Sequence, residues 1–240
     1  MPTLYQRDLA WIHHHAYGRF AQAAGPQLLK MLSKAGIRNG VLIDLACGSG
    51  IWADTAHRAG FDVLAVDRSK AMLDIAKVNA PKVQFRCASL HGFKLPQCDV
   101  VTIIGEGIQY LQPTESKRPA LRPLFARIAK ALRPGGFFIF DAIAQSKMPL
   151  NYHHGRAGRD WAVCVEAKQE RNLLVRNIVS FRKVGGAWRR AEETHRAVLI
   201  DVNATREALR HCGFSVTTHR SYGQYALGPN RFAFIARKKR

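Results

Sequence analysis

A chain of 240 residues with 47% hydrophobic and 22% charged positions has the make-up of a single globular domain with a modest insertion, which excludes a disordered or fibrous polymer. Its formal charge of +20, from 37 Lys and Arg against 17 Asp and Glu, is the one extreme quantity, and it leaves a nucleic-acid partner open beside a solvated basic surface or an anionic small substrate. No stretch approaches the roughly 18 uninterrupted apolar residues of a membrane span, so no membrane partner is expected.

The first residues, Met1 to Phe20, interleave Arg7, Asp8 and His13-His14-His15 with apolar positions, which is unlike a signal peptide and predicts a cytoplasmic location. Two helices are expected here, about Leu4 to Ile12 and Tyr17 to Ala35. From Val41 onward short apolar runs alternate with amphipathic stretches, the pattern of a parallel sheet with helices on both faces. Strands are predicted at Val41–Leu45, Asp62–Val66, Val83–Cys87 and Asp99–Ile104. Helices are predicted at Ile51–Ala59, from the cap Ser69 to about Val78, and at Leu124–Leu132, where Arg133-Pro134-Gly135-Gly136 stops the chain. A fifth strand, Phe137–Phe140, ends at Asp141.

The composition then changes. Trp161–Ala167, Leu173–Val184 and Ala187–Ile200, joined by Gln169-Glu170-Arg171-Asn172 and Gly185-Gly186, read as an antiparallel meander. Strand alternation sets Trp188, Arg190, Glu192, Thr194 and Arg196 on one face and Arg189, Glu193 and His195 on the other. A helix capped by Asn203 or Thr205 runs to His211, and Phe214–Thr218 with Phe232–Ala236 supply the last two strands. The fold class is therefore α/β: a Rossmann-like, seven-stranded, mostly parallel sheet, with an N-terminal helical lid at 1–40, a nucleotide-binding domain at 41–240 and an antiparallel β insertion at 150–201. The insertion is expected to form part of a substrate pocket or a dimer surface, in a monomer or homodimer. Cys47, Cys87, Cys98, Cys164 and Cys212 are odd in number and never form a CxxC pair, which argues against disulfides and a zinc site.

The sharpest chemical signal is Asp44-Leu45-Ala46-Cys47-Gly48-Ser49-Gly50, lying between a strand and a helix. Gly48 and Gly50 allow a tight turn and close approach of a ligand, and the helix N-terminus offers free N–H groups. Asp67, at the end of the second strand, suits ribose hydroxyls, so an adenosine-bearing ligand is implied. Gly48-Ser49-Gly50-Ile51-Trp52-Ala53 also satisfies the dinucleotide pattern GxGxxG/A, which keeps an NAD(P)-linked oxidoreductase in view. Asp44 tips the balance, because a carboxylate here repels a pyrophosphate but suits the ammonium and sulfonium of S-adenosylmethionine (SAM).

At these residues the chain resembles the class I SAM-dependent methyltransferases of small-molecule type, from about Val41 to Ala236. Asp44, Gly48 and Gly50 match the family's first motif, with Ala46 at its first glycine. Asp67 matches the ribose acid, Leu132-Arg133-Pro134-Gly135-Gly136 the turn before strand five, and the last two strands its antiparallel hairpin. The resemblance implies SAM as cofactor and S-adenosylhomocysteine as product. It adds Tyr17, Arg68, Met72 and Gly105 to the cofactor contacts, and Ser89 and Leu90 in place of the family's adenine-binding Asp. Gly105-Glu106-Gly107-Ile108-Gln109-Tyr110-Leu111 lies where donor meets acceptor and lacks the (Asn/Asp)-Pro-Pro-aromatic motif of enzymes acting on base amino groups.

The expected reaction is in-line displacement at the SAM methyl by an N, O or S atom of a small molecule. A general base serves only a protonated nucleophile, and its candidates are His14, His15, Glu106 and His195. Substrate contacts are assigned to Tyr110, Arg196 and Tyr222, and no metal is invoked. An RNA or DNA methyltransferase and a catalytically silent SAM-binding module remain alternatives. Loss of Asp67 is expected to weaken SAM binding while leaving folding nearly untouched.

Overall fold

The computed structural model describes residues 4–116, 120–146 and 148–239. In chain order its helices are α1 Arg7–Tyr17, α2 Arg19–Lys34, α3 Ile51–Arg58, α4 Lys70–Asn79, α5 Leu121–Ala131 and α6 Val202–His211. Its strands are β1 Gly40–Leu45, β2 Phe61–Asp67, β3 Gln84–Cys87, β4 Cys98–Ile103, β5 Tyr110–Leu111, β6 Leu132–Ile143, β7 Tyr152–Gly158, β8 Trp161–Glu170, β9 Leu173–Val184, β10 Ala187–Val198, β11 Phe214–His219, β12 Ser221–Tyr222, β13 Tyr225–Ala226 and β14 Arg231–Lys238. A seven-stranded sheet runs in the order β11-β14-β6-β4-β1-β2-β3, parallel except for β14, which is antiparallel to both β6 and β11. This is the Rossmann-like architecture expected. Among the described residues no helix is long and apolar enough to cross a membrane.

Side-chain alternation divides the central strands between two cores. Ile43, Val101, Phe138 and Phe140 pack under α5 and α6 with Leu124, Phe125, Ile128 and Leu209. Leu42, Val100, Phe137 and Ile139 face the other way, onto Leu28 and Leu32 of α2 and Trp52 of α3. The second set carries on, two residues at a time, to Asp44, Thr102 and Asp141, so three polar side chains lie at the carboxyl ends of β1, β4 and β6, where ligands of open α/β sheets bind.

The insertion forms a second, five-stranded antiparallel sheet in the order β5-β10-β9-β8-β7. Ile12 and Ala16 of α1 pack on Val163 and Ile178 of this sheet. Its attachment rests on Gln109, fully buried, whose Nε2 donates to the Ile143 and Val198 carbonyls at 2.8 Å each, while its Oε1 accepts from Ile143 N at 2.6 Å.

Three expectations need correction. The first helix begins at Arg7 and continues to Tyr17, with only Gly18 before α2. β7 was not foreseen: its Tyr-His-His-Gly-Arg-Ala-Gly run is wholly exposed and has no apolar alternation to betray a strand. Finally, α6 is capped by Asp201, whose Oδ1 accepts from Ala204 N at 2.8 Å, and not by Asn203 or Thr205. Asp201→Ala is therefore expected to cost about 1 kcal/mol in urea unfolding. Asn203→Ala should leave the midpoint unchanged, and the reverse result would restore Asn203 as the cap.

Candidate active site

A cavity of about 430 Å³ opens at the carboxyl ends of the parallel strands, between the sheet, α1 and the insertion. Its wall includes Tyr17, Asp44, Ala46, Gly48, Asp67, Arg68, Met72, Ser89, Leu90, Gly105, Glu106, Tyr110 and His195, so most residues singled out in the sequence come together. Gly50 stands behind the wall as N-cap of α3 at φ 77°, where an added Cβ would meet the Ala76 Cβ at 3.0 Å.

The glycine loop is shaped to receive a ligand. A Cβ on Gly48 (φ 54°) would meet nothing within 4 Å, so the space above it is open. Ala46 adopts φ 56°, the left-handed region that glycine occupies without cost. Asp67 does more than expected: its Oδ2 accepts from Gly48 N and its Oδ1 from Ser69 N, both at 2.8 Å. It thus braces the glycine loop and the start of α4, and the expectation that its loss would spare the fold does not suit this geometry. Burial raises its pKa, partly offset by the backbone N–H groups it accepts from.

Asp44 is 1% exposed. Trp52 Nε1 donates to Thr102 Oγ1 at 3.0 Å, and Thr102 Oγ1 donates to Asp44 Oδ1 at 2.8 Å. The other oxygen, Oδ2, has no hydrogen-bond partner among the described residues, and the same is true of the buried Tyr17 hydroxyl. Buried polar atoms left unbonded are rare and costly. One acceptor and one donor on the wall of a single cavity form a complementary pair for a zwitterionic amino-acid end such as that of SAM. Burial pushes the Asp44 carboxyl up to about 7, against the pull of the Thr102 hydrogen bond.

Opposite lies a ring of tyrosines and histidines. Tyr5 sets its ring edge-on to His13 (4.9 Å), His195 (4.7 Å) and Tyr110 (6.2 Å between centroids). Burial lowers His13 to about 4, with His195 adding to the effect. Glu106, at φ 67°, accepts from Arg176 Nη2 at 2.9 Å and pairs with Arg231 Nη1 at 3.3 Å. Burial would raise its pKa, but the two guanidiniums prevail and hold it below the usual carboxylate range.

Four candidates lie elsewhere. Successive helical residues point about 100° apart, so only His13 of the three histidines reaches the cavity. His14 Nδ1 lies 2.9 Å from Ser49 Oγ behind the glycine loop, and His15 stacks on Trp11 at 3.8 Å; both line a separate surface groove. Arg196 staples the carbonyls of Gln112, Pro113 and Glu115. Tyr222, 1% exposed, donates to Asp141 Oδ1 at 2.9 Å. Sequence reasoning missed Tyr5, His13, Asp141, Arg176 and Arg231; a charged residue ending an apolar strand, as Asp141 does, was the available signal.

The fold is Rossmann-like, with its cavity at the carboxyl ends of the parallel strands. Residues 42–136 match the methyltransferase domain family. A protein of Bacillus subtilis named as a methyltransferase, YqeM, is 26% identical over 188 residues, covering 74% of each chain. A ubiquinone biosynthesis O-methyltransferase of Acinetobacter baylyi is 25% identical over 165 residues, 64% of each. Among solved structures, a SAM-dependent methyltransferase from Clostridium acetobutylicum superposes with TM-score 0.80 at 18% identity, covering 96% of this chain and 98% of the other. The sugar N-methyltransferase KedS8 from Streptoalloteichus does so with TM-score 0.78 at 16% identity, covering 95% and 92%; at such identities these likenesses establish the fold. Residues 42–136 thus carry a methyltransferase domain, and the chain as a whole has the fold of SAM-dependent methyltransferases.

Two measurements probe the unbonded pair. Because Asp44 is held above the unfolded carboxylate value, the ligand-free protein keeps a proton that the unfolded chain gives up. Its stability is then fully present near pH 4 and falls as pH rises to about 7. A cationic ligand favours the ionised form, so SAM affinity should rise across the same range, and both trends should flatten in Asp44→Asn. A pH-independent affinity in the unaltered protein would remove Asp44 from the ammonium. Tyr17→Phe deletes a hydroxyl with no partner, so melting should be unchanged or slightly raised. Calorimetric SAM affinity should drop about 10- to 150-fold, the worth of one hydrogen bond to a charged group.

Proposed function

We propose that this methyltransferase transfers the SAM methyl group to an N, O or S atom of a small polar molecule held among the tyrosines and histidines of the same cavity. The unbonded Asp44 Oδ2 and Tyr17 hydroxyl carry the reading, because they assign the amino-acid end of SAM to the sheet side and leave the Tyr110–His195 side for the acceptor. In this arrangement Asp44 takes the ammonium and Asp67 the ribose hydroxyls, with Arg68, Met72, Ser89 and Leu90 beside the adenine. SAM supplies an electrophilic methyl on its sulfonium, so the chain's task is alignment and exclusion of water. The helices of residues 1–40 act as the lid.

A cavity of about 430 Å³ is in the range of small-molecule sites, and similar proteins, a sugar N-methyltransferase and ubiquinone O-methyltransferases, are named for small acceptors. Arg176 and Arg231 face the carboxylates of Glu106 and Asp141, so the chamber holds balanced charge. That favours a neutral polar acceptor over a free anion.

The choice of proton acceptor follows by elimination. Glu106 is stabilised as an anion by two arginines and is a poor base. His13, lowered to about 4, is too weak near neutrality, since an effective base has a pKa near the working pH. His14 and His15 face the other groove. Of the candidates named from the sequence, His195 remains on the cavity wall, which His91 and His154 also line.

Tritiated SAM offered with pools of small amines, phenols and sugars, and in parallel with RNA, should label a small molecule. In the labelled reaction His195→Gln should lower kcat about 100-fold or more for a protonated nucleophile with S-adenosylhomocysteine affinity unchanged. Label appearing only in RNA would overturn the small-acceptor reading.

A further inference from the structure

Glu193 is more than the neighbour of His195. Its side chain, 5% exposed, accepts at Oε2 from His195 Nε2 at 2.9 Å. The same Oε2 accepts from Tyr5 N at 2.7 Å, and Oε1 from Gln6 N at 2.8 Å. One buried carboxylate in the insertion therefore holds a cavity histidine and the backbone just ahead of α1 together. The other end of the clasp is on the cofactor side: Ser69 Oγ donates to the Tyr5 carbonyl at 2.9 Å, and Ser69 N donates to Asp67 Oδ1. Tyr5 itself adopts φ 56°, a left-handed conformation that a tyrosine holds only when its surroundings enforce it.

We infer that Glu193 is a positioning residue that makes the orientation and tautomer of His195 conditional on the N-terminal segment lying across the cavity. The inference rests on the reading of His195 as proton acceptor. An ionised carboxylate can only accept hydrogen bonds, so its bond to Nε2 places the imidazole proton there and leaves Nδ1 as the basic nitrogen, the logic by which a buried carboxylate orients a catalytic histidine. The Tyr5 and Gln6 amides fix that carboxylate in place, and the Tyr5 ring lies edge-on against the imidazole. With the segment lifted, Glu193 loses two of its three donors and gains water, and the imidazole is free to turn. A base assembled only under the closed segment keeps the proton-accepting nitrogen out of reach of water until the reactants are enclosed.

The test reads the imidazole rather than turnover. Long-range ¹H–¹⁵N spectra of the full-length protein labelled at histidine, with S-adenosylhomocysteine bound, should show His195, assigned by its absence in His195→Gln, as one neutral Nε2–H tautomer. Gln6→Pro changes neither Glu193 nor His195. Gln6 has φ −67°, which proline matches while lacking the N–H, and a following proline disfavours the left-handed Tyr5. In Gln6→Pro and in Glu193→Ala the signal should become a mixture with at least about a tenth of the Nδ1–H form. Should Glu193→Ala fail to fold, Gln6→Pro decides alone. An unchanged single tautomer in the folded variants overturns the coupling. A normal kcat in His195→Gln would instead overturn the base assignment while leaving the tautomer result standing, so the two failures are distinct.

Discussion

The buried carboxylate of Asp141 is the interaction on which the site depends. It is fully enclosed, and it accepts from Gly105 N, Glu106 N, the Tyr222 hydroxyl and Arg231 Nε at 2.6–3.1 Å. Hydrogen-bonded charge pairs of this depth are costly to break from one side, by about 3–5 kcal/mol, because the surviving partner is left uncompensated. Asp141 therefore ties the end of β6 to β14 and to the loop after β4. Through that loop it sets Glu106, and Glu106 meets Arg176 of the insertion. Two sheets that share no ladder are joined by this chain of charges, by Gln109, by the backbone bonds of Ile200 to Ile143 and Gln145, and by the packing of Ile143 on Ala167, Leu174 and Ala197.

The network also divides labour among the acids. In a chain with 17 Asp and Glu against 37 Lys and Arg, Asp44, Asp67, Glu106 and Glu115 all line one cavity. Glu106 and Glu115 are matched by arginines, and Asp67 by backbone N–H groups. Asp44 alone among them has a carboxylate oxygen without a partner among the described residues. One carboxylate oxygen is thus left unmatched, and the remaining negative charge serves the architecture.

Much of this was legible in the sequence because local chemistry dictated it. The strand periods, the glycine loop and Asp67 are each determined within a few residues, so Asp44, Gly48 and Asp67 could be read directly. Boundaries suffered where the signal was weak, as in exposed β7, or where several cap residues competed, as at Asp201 and Asn203. The Tyr110–His195 side of the cavity was less legible because it is assembled from distant segments. Tyr5, Glu106, Arg176 and His195 come from four parts of the chain, and nothing near Arg176 distinguishes it from the other arginines. His14 and His15 were preferred to His13 because the helical phase could not be set without knowing which face of α1 is buried.

The charge total is a further case where a count misleads without positions. Arg176 and Arg231 are largely buried against Glu106 and Asp141, Arg182 pairs with Asp8 and lies over the Trp11 ring, and Arg156 donates to the Ala16 carbonyl and covers Tyr17. Three of these four sit on the insertion, and each of those three secures α1 or the chamber wall. Arginine suits that work because its planar group stacks on rings and bonds in several directions at once while staying charged. Part of the 37 Lys and Arg is therefore used inside, fastening α1 and the insertion over the cavity. Fewer basic side chains are free to meet a polyanion than that count implies, although the internal ion pairs, neutral in themselves, leave the net charge of +20 in place.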